Sequence, residues 1–86
     1  MPMSATEIET LIRAGFPEAM LVRVIDEVGD NNHFGALVVA PAFAGRTLVE
    51  RHQLVYASLK GAMADRVHAL AIKTYTPEEW ERLCDA

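Results

Sequence analysis

At three places in this chain a serine or threonine stands three residues ahead of a glutamate at the head of a helix-period run, and these starts order everything between them. In such a box the hydroxyl accepts from a backbone N–H one turn in, and the carboxylate accepts from the capping residue's own N–H. The first box is Ser4 with Glu7 or Thr6 with Glu9; Ile8, Leu11 and Ile12 then share a face and Gly15 supplies a stop. The second is Thr47 with Glu50, with Leu48, His52, Val55 and Leu59 along one stripe and Gly61 interrupting or ending the helix. The third is Thr76 with Glu79, with Pro77 at the first helical position, after which Trp80, Leu83 and Cys84 share a face.

The segments between the boxes have a different period. Residues 19–28 alternate, with Met20, Val22 and Val24 on one side and Leu21, Arg23 and Ile25 on the other, in a run rich in β-branched residues. Gly29-Asp30-Asn31-Asn32 is a turn by composition and His33 to Ala40 reads as the returning strand, ended by Pro41. Phe43 lies in the connector that follows, placed to set an aromatic ring against the core. Val67 to Tyr75 is again extended, with Leu70, Ile72 and Thr74 on the parity of His68. The order is therefore α-β-β-α-β-α, with a small extra helical turn before or inside the middle helix, and with Ala62 to Arg66 as a further turn or a frayed extension of that helix. A hairpin is not stable alone, so the third strand is expected to join it in a three-stranded sheet with the helices on one face, an α+β two-layer sandwich. At 86 residues this predicts one domain, 1–86, with a modest core and little room for an enclosed active site.

Composition narrows the function. Hydrophobic residues make up 51% and charged residues 23%, which predicts a folded chain, and a net charge of −4 does not favour long-range attraction to a polyanion or an anionic membrane. No signal-peptide core follows Met1 and no apolar run approaches the ~20 residues of a membrane span, so a soluble, cytoplasmic protein is expected. Cys84 is the only cysteine, which excludes an intrachain disulfide and suits a reducing compartment. Its place on the apolar stripe predicts a thiol packed beside Trp80. No nucleophile elbow, dinucleotide fingerprint or phosphate loop is present, Asp26, Asp30 and Asp65 read as solvated or turn residues, and a non-enzymatic role is expected.

The three histidines differ by position. His52, on the middle-helix stripe, is expected to pack against the sheet with one nitrogen hydrogen-bonded. His33 follows a polar turn at a strand mouth, which leaves its imidazole accessible. His68 begins a strand, on the core-facing parity but at the rim. As ligands, they cannot complete a cluster alone: an iron–sulfur centre needs four cysteines or a mixed cysteine and histidine set. With one cysteine this chain supplies at most imidazoles, and another protein or a small thiol must bring the sulfur. The rival reading is nucleic-acid binding through a positive surface of Arg46, Arg51 and nearby Lys60 or Lys73, although no Gly-x-x-Gly clamp occurs among Gly15, Gly29, Gly35, Gly45 and Gly61.

The segment from Phe43 to Tyr56, FAGRTLVERHQLVY, the segment from His68 to Trp80, HALAIKTYTPEEW, and the Gly-Asp-Asn-Asn-His-Phe hairpin turn together resemble the BolA-like family, most closely its bacterial IbaG-type branch. The resemblance runs from the first helix to Trp80. It implies a class II KH-like topology without the clamp, and partnership with a monothiol glutaredoxin in a heterodimer that holds a glutathione-bound [2Fe–2S] cluster. On that resemblance His68 is the principal cluster ligand, and His33 takes the hairpin-loop position where relatives place histidine or cysteine. The glutaredoxin and glutathione supply the sulfur donors, iron–sulfur apoproteins are the recipients, and the isolated chain is a monomer or weak homodimer. Arg51, His52 and the neighbouring basic residues correspond to the segment discussed for nucleic-acid binding in relatives, which carry the label of transcriptional regulator.

Overall fold

The computed structural model describes residues 4–27, 33–59 and 70–85. The sequence alternatives at the first helix resolve onto Ser4: helix α1, Ala5–Gly15, begins where the Glu7 N–H donates to Ser4 Oγ at 3.2 Å and the Ser4 N–H returns to Glu7 Oε1 at 3.4 Å. Strand β1, Leu21–Asp26, pairs antiparallel with β2, Phe34–Val39, and β2 pairs parallel with β3, Leu70–Tyr75. The result is a mixed three-stranded sheet in the order β1-β2-β3. A parallel pair needs a long crossover, and helix α2, Leu48–Ser58, lies within it. A 3-10 turn at Pro41–Phe43 is the extra helical turn expected before the middle helix. It buries the Phe43 ring 5.2 Å from that of Phe16. Gly45, at φ +74°, then bends the chain into the Thr47 cap in a conformation that β-carbon-bearing residues rarely adopt. Helix α3, Pro77–Asp85, follows β3.

Strand alternation decides which side of the sheet is covered. Val22, Val24, Phe34, Ala36, Val38 and Leu70 point to one face and form a single buried cluster with Ile8 and Ile12 of α1 and Val55 of α2. The two helices meet at Gly15, where an added β-carbon would collide with the β-carbon of Ser58. On the opposite face, among the described residues, α3 approaches through Trp80, whose ring lies 5.8 Å from that of Tyr75. The outer edge of β1 is closed by α1: Arg13 Nη2 donates to the Val22 carbonyl at 2.9 Å, and the Val24 N–H donates to Glu9 Oε1 at 3.3 Å.

Three sequence expectations are corrected. The helices do not all cover one face, because α3 reaches the opposite side of the sheet, where Trp80 packs on Tyr75 beside Leu37 and Lys73. Leu48 is not part of the core stripe but 63% exposed, because the buried positions of α2, Val55 and Ser58, lie in its second half and its first turn overhangs the layer. Cys84 is an exposed thiol and Leu83 is 51% exposed, because α3 buries no residue against the sheet. The hairpin turn at residues 29–32 and the turn read at residues 62–66 lie outside the described residues.

Candidate metal-ligand and partner site

His33 sits at the mouth of β2, exposed, with its carbonyl accepting from the Glu27 N–H at 2.8 Å so that the hairpin ladder continues one pair beyond the strands. Its backbone is thus held while its imidazole reaches the surface. Phe34, the next residue, pairs in parallel register with Leu70, so β2 and β3 begin side by side at this end of the sheet. In sequence only Ala69 separates His68 from Leu70; His68 and Lys60 themselves lie outside the described residues. The described donor set therefore offers one accessible imidazole at this end, and α3, which carries Cys84, starts from the other end of β3. That chemistry fits a cluster to which this chain gives imidazole while thiolates come from elsewhere. Among the described residues no three histidine, cysteine, aspartate or glutamate side chains converge on one point.

The expected basic residues fall in separate settings. Arg46 is exposed in the loop before α2. Arg51 is turned inward: its Nη1 donates to Glu79 Oε1 at 2.7 Å, its Nη2 to Glu79 Oε2 at 3.4 Å and its Nε to the Arg46 carbonyl at 3.2 Å. Its side chain is 13% exposed, and it ties α2 to the start of α3. The same Glu79 closes the third capping box, accepting from the Thr76 N–H at 2.8 Å. The Arg51 guanidinium first, and the Thr76 N–H second, hold the Glu79 carboxyl down at about 2. Glu50 is also lowered, chiefly by the Thr47 N–H of its own box.

Lys73 stands on the outer face of the sheet. In the same cross-strand row are Leu37 and Arg23, paired Arg23↔Leu37↔Lys73. Arg23 is a residue that sequence reasoning passed over. Its strand parity, opposite to that of the core valines, puts it on the exposed face, but its alignment with Lys73 depends on a register between distant strands. His52 is half-buried on α2 as expected, yet the hydrogen bond foreseen for one of its nitrogens is not made at Nε2, which is buried without a partner. No helix among the described residues is long and apolar enough to cross a membrane.

Comparison with known proteins agrees with this architecture. The sequence model of the BolA-like protein family matches residues 19–79. The DNA-binding transcriptional regulator BolA of Escherichia coli K12 is 36% identical over 90 residues, covering 96% of this chain and 85% of that protein. The acid stress protein IbaG of the same strain is 36% identical over 81 residues, covering 93% and 92%, which supports the IbaG-type branch. Among solved structures, a BolA protein homologue from Coxiella burnetii superposes with a TM-score of 0.76 at 40% identity, over 93% of this chain and 99% of that one. A BolA-like protein from Babesia bovis does so with a TM-score of 0.82 at 28% identity, over 98% and 96%. With its strands, its crossover helix and its third capping box inside the matched span, the chain belongs to the BolA-like family.

Proposed function

We propose that this chain is a non-catalytic partner of a monothiol glutaredoxin and shares with it a [2Fe–2S] cluster for trafficking, maturation or iron signalling. The observation that carries the reading is the parallel pairing of Phe34 with Leu70, which starts β2 and β3 together beside the exposed His33. His68, two residues before Leu70 in the sequence, is the second imidazole donor and the principal one. A donor at a strand mouth, rather than in a cavity, suits a cluster held between two proteins. Imidazole in place of thiolate makes the cluster less negative and raises its potential. The sulfur ligands come from the glutaredoxin and glutathione, and the cytoplasm is the compartment where such thiols stay reduced.

Co-expression with a monothiol glutaredoxin under anaerobic conditions tests this by absorption and circular-dichroism spectra of the wild type, His68→Ala and His33→Ala. The His68 variant is expected to change the charge-transfer bands and shorten the cluster's lifetime, and the His33 variant to do so less. An unaltered spectrum and lifetime in His68→Ala defeats the ligand assignment. The second reading, a nucleic-acid-binding regulator, draws on the likeness to the DNA-binding transcriptional regulator BolA of Escherichia coli. It requires unpaired cations, and the engagement of Arg51 with Glu79 removes one of the four expected. Its signature is affinity for DNA that falls steeply as salt rises.

A further inference from the structure

The outer face of the sheet carries an open groove of about 400 Å³ that no part of the cluster reading uses. Its floor is aliphatic around Leu37 on the central strand, with Ile25, Gly35 and Ala71 one row along, where Ile25 is 53% exposed and the Glu27 side chain lies over Gly35 and closes that end of the groove. Its two walls are cations. Arg23 on β1 and Lys73 on β3 are both exposed, face each other across Leu37, and among the described residues neither forms an ion pair or side-chain hydrogen bond. Two strand spacings set them about 10 Å apart, roughly the width of one α-helix.

We propose that this face docks an amphipathic helix of a partner protein, laid along β2 with its apolar stripe on Leu37 and carboxylates on both flanks against Arg23 and Lys73. A sheet face offers no free backbone donors or acceptors, so an extended peptide would leave its own polar groups unpaired there. A helix satisfies its backbone internally. The aliphatic floor also separates this occupant from single-stranded nucleic acid, which needs aromatic platforms under its bases. The aromatic rings of the groove, Tyr75 and Trp80, are tilted against each other at one corner.

The test is chemical-shift mapping on the ¹⁵N-labelled full chain with a synthetic 18-residue helix bearing a leucine stripe flanked by glutamates. A twin peptide with lysines at the flanks and a 12-nucleotide oligouridine serve as controls. Saturable shifts are expected at Leu37, Gly35 and Ala71 with the glutamate peptide alone. The double variant Arg23→Glu/Lys73→Glu, both solvent-exposed, is expected to weaken binding at least tenfold while its circular dichroism stays unchanged. Absence of binding, equal binding of the lysine twin, shifts confined to α1 and α2, or tighter binding of the oligonucleotide overturns the proposal. His33→Ala is expected to leave peptide affinity unchanged, so failure of the cluster reading and failure of this one are distinguishable.

Discussion

Val22, Val38 and Thr74 form one cross-strand row and are 2%, 0% and 5% exposed; in the adjacent row, one residue away on each strand, Arg23, Leu37 and Lys73 face the other way, with both outer members in solvent. The same three strands thus present a sealed face and an open one. Two helices, pressed together at Gly15, seal the first, while among the described residues the second is touched at a corner by α3. Hydrophobic burial on one side accounts for most of what holds so small a fold together. The other side is left free of that duty, so substitutions on the two faces should separate stability from recognition.

The largest expected effect comes from Phe34, fully buried at the start of β2. Phe34→Ala is expected to cost about 3–5 kcal/mol, whereas Leu37→Ala, three residues along the same strand, should cost about 1 kcal/mol or less. Urea unfolding of the two variants compares them directly. Equal losses would show that the outer face is as buried as the inner one. Next comes Gly15→Ala, which drives a methyl group into Ser58 and is expected to cost about 1–3 kcal/mol. Combining it with Ser58→Gly should recover part of that loss, giving a coupling term of opposite sign to the two single changes. Strict additivity would mean the helices do not touch there.

Sequence reasoning reads the inner face well because period-two alternation and capping boxes are local signals. Val22 and Val24 alternate with Arg23 and Ile25 whatever the partner strand does, and Thr47 needs only Glu50 to declare a helix start. What it misreads is whether a shared stripe is covered. Leu48 belongs to the stripe of Val55, and Cys84 to that of Trp80, but helical periodicity says nothing about where the neighbouring layer ends. The candidate site is legible in part for a related reason. His33 is flagged by the turn before it, but the closeness of the two strand starts and the row from Arg23 to Lys73 are products of register. Arg51 illustrates the limit: its helix position suggests a solvated cation, and only the fold brings it to Glu79, 28 residues later.

That ion pair gives the third prediction, at the corner where the two faces meet. Glu79→Gln keeps a capping side chain but removes the charge, and its side chain is 39% exposed, so water screens the pair. The loss at pH 7 is expected to be about 0.5–1 kcal/mol. The folded-state value of about 2 lies below the ordinary 4.5, so the contribution is present in full above about 4.5 and disappears as pH falls toward 2. Urea unfolding of the wild type and the variant across pH 2 to 7 checks the sign. A difference that persists unchanged at pH 2 would assign the loss to packing rather than charge.

The smallest effect concerns the edge of β1, where the sealed and open faces share a border. An edge strand's free N–H and C=O groups invite another strand, and here Arg13 and Glu9 occupy the Val22 carbonyl and the Val24 N–H as a neighbouring strand would. Their mutual ion pair, at 3.4 Å on one face of α1, holds both in place. Glu9→Ala removes the acceptor for Val24 and the partner of Arg13 together, yet both groups regain water, so the stability loss is expected to stay below about 1 kcal/mol. Local opening is the more sensitive reading. Hydrogen exchange at the Val24 amide should accelerate several-fold while exchange at Val38, on the central strand, follows only the global stability. Unchanged protection at Val24 would mean that burial of the strand, and not the side-chain plug, guards this edge; acceleration at Val24 alone shows that α1 closes the edge through Glu9 and Arg13 as well as sealing the inner face through Ile8 and Ile12.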